Sequence, residues 1–204
     1  MGSCCSCCRG RSKASAETEM TSKVSRKDDG GRNLAMARKM SSPKVQIDGP
    51  KVSGVGLALA GVPVEQDAAY WEWHIDGSED DSGALKFGVA TKKDGKFYKA
   101  LEIQADDGDS TPEEDGTALM KAIPVVGGDT VGVAVQQSDL PMVQFLLNGE
   151  PLHDLAINRF RGTVYPSIFL KDGICVTAVF DEDSWQEMSP HARFGPLIVA
   201  RGII

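Results

Sequence analysis

Gly127 to Tyr165 reads GGDTVGVAVQQSDLPMVQFLLNGEPLHDLAINRFRGTVY, and this stretch decides the fold. Val131, Val133 and Val135 alternate with Gly132 and Ala134, and Val143, Phe145 and Leu147 alternate with Gln144 and Leu146. A period of two marks strands whose successive side chains point to opposite faces. The polar segment Gln136 to Pro141 separates the two runs, and Asn148-Gly149 follows the second as a strong signal for a tight hairpin turn. The stretch therefore reads as two strands and two reversals, a hairpin at the centre of an all-β body.

Working outward, the same grammar recurs. Val45-Gln46-Ile47 alternates, Gly49-Pro50 turns the chain, and Val52 to Ala60 is an apolar run broken by glycines. Tyr70 to Ile75 places Trp71, Trp73 and Ile75 on one face and Tyr70, Glu72 and His74 on the other. Leu85 to Thr91, Thr163 to Leu170 and Ile174 to Phe180 complete the set, with turns at Lys93-Asp94-Gly95 and Lys171-Asp172-Gly173. Residues 96–123 hold only a possible strand near Ala100 to Gln104 and an acidic run from Asp106 to Gly116. Nine or ten short strands without sustained helical periodicity predict an antiparallel β-sandwich.

Charge is unevenly distributed. Residues 1–49 hold ten Lys and Arg against five Asp and Glu, and the remainder holds twelve against twenty-four, giving the net −7. An acidic body lacks the clustered basic side chains that neutralise phosphates, so nucleic acid is not expected as a partner. No run reaches the roughly 18 consecutive apolar residues of a spanning helix, and residues 2–30 lack the apolar core of a secretory signal.

The first eight residues, MGSCCSCC, carry the most specific chemistry. Removal of Met1 would expose Gly2, and Ser6 stands where N-myristoyl transfer favours it. One myristoyl chain holds a membrane only weakly and reversibly, so stable residence takes a second signal. Cys4, Cys5, Cys7 and Cys8 are candidate palmitoylation sites, and Arg9, Arg11 and Lys13 add attraction to anionic headgroups. The overlapping spacings Cys4/Cys7 and Cys5/Cys8 also fit half of a zinc knuckle, but no second ligand pair follows. Residues 9–44, basic and rich in serine with no aromatic side chain, read as a flexible tether, with a short helix near Asn33 to Met40 as a local alternative. Serines 12, 15, 22 and 25 lie beside basic residues, where phosphorylation would weaken lipid attraction. The expected organisation is a lipidation signal at 1–8, a tether at 9–44 and a sandwich at 45–204. The expected location is the cytosolic face of a membrane, the plasma membrane first and a cilium or flagellum as the alternative.

From about Val45 to Ile204 the chain resembles the SPRY domain family. Tyr70-Trp71-Glu72-Trp73 resembles its aromatic-acidic strand, Phe87-Gly88-Val89-Ala90-Thr91 its Gly-Val-Ala-Thr strand, and Gly127 to Gly132 its Gly-Asp-x-Ile-Gly element. Phe145-Leu146-Leu147-Asn148-Gly149 and Tyr165-Pro166-Ser167 follow in the family's order. Two departures stand out: no glycine- and tryptophan-containing segment lies between Thr91 and Gly127, and the last strand ends Val179-Phe180-Asp181 instead of Asn-Phe-Gly.

The resemblance implies a bent sandwich of two antiparallel sheets that binds a protein or peptide through loops at one rim. On this sequence the candidate partner-binding residues are Asp76, Glu79, Asp80, Asp81, Lys92, Lys93, Asp106, Asp107, Asp109, Gln136, Gln137 and Asp139. Their acidity suggests a basic partner, although solubility alone accounts for acidic loops equally well. No catalytic or cofactor pattern emerges. His74, His153 and His191 are scattered, no nucleophile-base pairing or phosphate loop is visible, and no register of the acidic runs meets the EF-hand requirements. A monomeric, non-enzymatic adaptor without cofactor or metal is expected. A lectin-like sandwich, or a structural part of a membrane-bound assembly, is the alternative.

Overall fold

The computed structural model describes residues 34–77, 82–91 and 118–199. Among them, strands of two antiparallel sheets face one another. The larger sheet is built from β1 (Val45–Asp48), β2 (Lys51–Gly54), β12 (Cys175–Val179), β4 (Ala68–Asp76), β7 (Thr130–Gln136), β8 (Met142–Leu147) and β10 (Ile157–Asn158) in that order, with the two-residue β9 (Glu150–Pro151) beside β8. The smaller has the order β3 (Gly56–Leu59), β11 (Val164–Leu170), β5 (Ser82–Thr91) and β6 (Ala118–Val126). The all-β antiparallel sandwich is thus as the alternation predicts.

The opening stretch supplies β7 through β10. Val131 pairs with Leu147 and Gln136 with Met142, and the turn from β8 into β9 sits at Asn148-Gly149, both with positive φ (50° and 79°). Such a turn matches the twist of the flanking strands and suits Asn-Gly because neither residue resists φ above zero. Asn148 Oδ1 accepts from the Thr130 N–H at 2.8 Å, while Asp129 Oδ2 accepts from the Val126 N–H at 2.8 Å. Asp129 is therefore a turn residue.

Between the sheets lie Trp71, Trp73, Ile75, Val131, Val133, Val135, Val143 and Phe145 from the larger and Leu85, Phe87, Val89, Ile123 and Ile168 from the smaller, all buried in one cluster. The apolar run Val52 to Ala60 crosses between sheets, since β2 belongs to one and β3 to the other. The crossing uses Gly54 and Gly56 (φ 89° and 121°), and a Cβ on Gly54 would lie 2.3 Å from the Lys44 carbonyl oxygen. Only glycine lets the backbones approach this closely.

Three features differ from the sequence reading. Residues 34–44, assigned there to the tether, pack on the body. Met36 bridges to Ala60 and is buried, Arg38–Met40 form a short 3-10 turn, and Ser42 N–H donates to the Leu57 carbonyl. These contacts cap the open edge of β3, and their apolar content is too sparse, Leu34, Met36 and Met40, to register as a periodic pattern. Secondly, β6 fills Ala118–Val126 although Pro124 argues against a strand. It is an edge strand, where a missing N–H need not break a ladder. The possible strand at Ala100 to Gln104 lies outside the described residues.

Finally, the second face of β4 is covered rather than wet. After β12 the chain runs as a strap, residues 181–199, across the outer face of the larger sheet and then turns inward at Leu197, which joins the core between the sheets. Trp185 meets Tyr70 edge-on at 4.8 Å, Phe194 joins Tyr70, Ala134 and Leu146 in a separate apolar cluster, and Gly195 bridges in parallel to Ala69. The Tyr70 ring lies over Gly132, where a Cβ would fall 2.4 Å from its hydroxyl oxygen. Gly132→Ala should therefore cost about 1–3 kcal/mol by overpacking, read as a lower urea midpoint with unchanged m-value. An unchanged midpoint would show that the ring moves freely.

Candidate functional site

The register of β4 on β7 sets the two ends of the sandwich, with Ala68 opposite Gln136 and His74 opposite Thr130. Eight residue steps along β4 separate Ala68 from Asp76, roughly 27 Å at strand rise. The described partner-binding candidates divide between these ends: Gln136, Gln137 and Asp139 at one, Asp76 at the other. Glu79, Asp80, Asp81, Lys92, Lys93, Asp106, Asp107 and Asp109, together with Gly2, Cys4, Cys5, Cys7 and Cys8, lie outside the described residues.

At the Gln136 end three segments are tied together. Gln137 Nε2 donates to the carbonyls of Val64 (2.8 Å) and Gln66 (2.9 Å), and Gln66 Nε2 donates to Ala68 and Pro196. The Ile198 N–H in turn donates to Gln66 Oε1 at 2.8 Å. The loops at 61–67, 137–141 and 195–198 thus form one rim. Val64 also bridges to Val164, which pairs with Thr91, and Ala118 pairs with Ala90, so the ends of β5 and β6 open at this rim too. Gln136 Oε1 accepts from the Arg193 guanidinium, whose carbon stands 5.0 Å from the centre of the Phe194 ring.

The two glutamines therefore act first as ties that hold the rim. Its exposed residues include Glu65 and Asp67, Asp139 in the left-handed region (φ 57°), and Leu140 and Ile198, whose side chains are 70% and 59% exposed. Gln66, Leu140, Arg193 and Ile198 were not singled out from the sequence. Leu140, apolar between Asp139 and Pro141 in a polar loop, was the legible one; Gln66 and Arg193 acquire their roles only through residues 71 and 57 positions away.

Asp76, at the far end, is occupied within the fold. Lys51 Nζ lies 3.1 Å from it, Thr177 Oγ1 donates at 3.0 Å and Cys175 Sγ at 3.4 Å. Burial pushes its carboxyl up, and the bonds from Lys51, Thr177 and Cys175 outweigh that and hold it below the ordinary range. The Cys175 thiol is raised by burial and by the Asp76 carboxylate, which suits a strand residue and not a nucleophile.

Among the described residues the one fully buried carboxylate is Glu72, under the strap. Its Oε1 accepts from the Tyr70 hydroxyl (3.1 Å) and the Glu187 N–H (2.9 Å), and its Oε2 from His74 Nε2 (2.7 Å) and the Gln186 N–H (2.8 Å). Burial alone raises this group, but the four donors overcome it and the carboxyl sits below its usual range. Tyr70 is pushed far up by burial and by the neighbouring Glu72 charge. With every oxygen engaged by the fold, Glu72 is a fastening and not an acid or base for a substrate. Among the described residues no group of three or more His, Cys, Asp and Glu side chains gathers where a metal could be held, and no helix is long and apolar enough to cross a membrane.

SPRY domain-containing protein 7 of Gallus gallus and of Homo sapiens are each 28% identical to this chain over 174 residues, spanning 76% of it and 84% of theirs. The body is SPRY-like. No family model matches the chain. Among solved structures, the SPRY domain of human HERC1 (TM-score 0.48, 13% identity) covers 71% of this chain and 96% of its own, and the TRIM65 PSpry domain (0.46, 13%) covers 72% and 92%. SPRY domains are protein-interaction modules.

Proposed function

We propose that the chain is a membrane-tethered adaptor whose SPRY-like body captures a protein or peptide at the rim made by residues 61–67, 137–141 and 195–198. The observation that carries this is the tying of these segments through Gln66 and Gln137, which leaves Asp139, Leu140 and Ile198 exposed on a fixed base. Loops held by a rigid scaffold are where recognition residues concentrate. A partner with an apolar side chain for Leu140 and Ile198 and a basic group for Asp139 fits this surface.

The tether is the acylated N-terminus: myristate on Gly2, palmitate among Cys4, Cys5, Cys7 and Cys8, and the basic residues that follow. It places the body at the cytosolic face of a membrane, the plasma membrane first. Confinement there raises the effective concentration of any partner sharing the surface.

Fractionation of cells expressing the Gly2→Ala chain should move it from the membrane pellet to the soluble fraction. Leu140→Asp, with Gly2 intact, should leave it in the pellet and remove the partners captured by proximity labelling. Membrane residence of Gly2→Ala contradicts the tether, and an unchanged labelling profile for Leu140→Asp contradicts the rim.

A further inference from the structure

Where β12 stops, the larger sheet is interrupted. Val179 is the last residue of β12 paired to β4, opposite Glu72, and the same edge of β4 is taken up again when the Tyr70 N–H donates to the Gly195 carbonyl at 2.8 Å. Between the departing and returning chain opens a cleft of about 600 Å³, walled by Ala178, Phe180, Pro196 and Leu197 and closed by Pro50 and Leu34. A second cleft of about 380 Å³ shares Leu34, Pro50, Ala178 and Phe180 with it and continues past Met36. Each is of ligand-binding size, which runs roughly from 300 to 1,000 Å³, and the four shared residues make them neighbouring parts of one apolar slot. Its floor, with Ala178, Phe180 and Leu197, belongs to the core between the sheets.

The polar groups at the slot narrow the choice of occupant. Asp181 is the one charged residue among the described lining, and Ser184 lies near it. Asp181 would repel a free fatty acid carboxylate, whereas an amide at the end of an acyl chain brings no charge. Its N–H matches a carboxylate acceptor and its carbonyl a hydroxyl donor. A linear chain fills a slot better than a compact ligand does, and Leu34 at the mouth stands 32 positions from Gly2, the residue proposed to carry such an amide.

We propose that the slot between Phe180 and Leu197 is a binding site for an N-acylglycine end, the aliphatic chain lying along Leu34, Pro50 and Ala178 and the amide facing Asp181 and Ser184. The inference takes its ligand from the N-acylation read at Gly2, and it makes a second use of that group beside the membrane.

The test is a calorimetric titration of a myristoyl-Gly-Ser-Ser-Ser peptide, held below its micelle concentration, into the full chain expressed without N-myristoyltransferase. Saturable one-to-one uptake, at least tenfold tighter than sodium myristate, supports the site. No saturable uptake, or equal uptake of myristate, overturns it. Ala178→Leu, which narrows both clefts, should weaken binding at least tenfold. Since that position is buried, Leu34→Asp at the partly exposed mouth is measured beside it, and unchanged affinity in a folded variant of either kind also overturns the site. With the enzymatically myristoylated full chain, loss of peptide uptake supports the site and names the chain itself as the source of the acyl end. Retained uptake supports it with another acylated protein as the source. Intact-mass measurement of the chain from transferase-bearing cells separates the two readings: an unmodified Gly2 removes the proposed tether, while the peptide titration still decides the cleft.

Discussion

Glu72→Ala should release the strap that covers the outer face of the larger sheet and cost about 3–5 kcal/mol, the range for stripping one partner from a buried charged network. Four donors converge on the carboxylate, from Tyr70, His74, Gln186 and Glu187. Without it two backbone N–H groups and a buried hydroxyl lose their acceptor together, and each orphaned group costs about 1–3 kcal/mol before relaxation. For a domain of this size the melting temperature should fall on the order of 10 °C. Limited proteolysis should then cut within residues 181–199 before the sandwich, and the near-ultraviolet signal of Trp185 against Tyr70 should weaken. Melting and proteolysis like wild type would mean that Phe194 and Gly195 hold the strap without the carboxylate.

The same group sets an acid sensitivity. Its folded pKa lies below its ordinary value of 4.5. A depressed carboxylate adds stability that is fully present above the unfolded pKa and is lost as pH falls through the folded one. Wild type should therefore lose stability more steeply than Glu72→Gln below about pH 4.5, while at pH 7 the Gln variant lies between wild type and Ala. Parallel curves for the two chains below that pH would contradict the fastening role.

Trp73→Ala is the second large effect, about 3–5 kcal/mol for an aromatic side chain removed from a packed core. Trp73 is fully buried between the sheets and meets Phe180 edge-on with ring centres 6.1 Å apart. Its Nε1 has no hydrogen-bond partner among the described residues. Trp73→Phe should consequently cost far less than the lost area implies, because removing an unpaired buried N–H returns about 1–3 kcal/mol. Urea unfolding of the three chains gives the comparison. A Phe variant as damaged as Ala would show that the indole nitrogen is satisfied after all.

The sandwich was legible because its central strands alternate cleanly. Trp71, Trp73 and Ile75, and Val131, Val133 and Val135, announce both their strands and the face that turns inward, and Asn148-Gly149 pins the hairpin between β8 and β9. The strap was not legible, because it has no period: Trp185, Phe194 and Gly195 reach their places one by one, through contacts with Tyr70 and Ala69 of β4. Glu72 looked like the polar side of a half-buried strand for the same reason. A carboxylate written into a strand carries no mark of whether water or two backbone N–H groups more than a hundred residues away will meet it.

The rim shows the same division. Polar loops could be found from composition, but their assignment to one end or the other depends on register. That register separates Asp76 from Gln136 by the length of β4 and engages Asp76 with Lys51, Thr177 and Cys175. Acidic residues of similar appearance in the sequence thus have different freedom to meet a partner.

The fastening at Glu72 grips the strap by main-chain atoms, the N–H groups of residues 186 and 187. Such a grip is indifferent to the side chain presented at 187. Descendants of this sequence are free to vary there, barring proline, while position 72 stays bound to an acidic residue of one length. Variation along the strap and constancy beneath it would then be two signs of one attachment, and the strap's outward surface could acquire new contacts without loosening the fold that carries it.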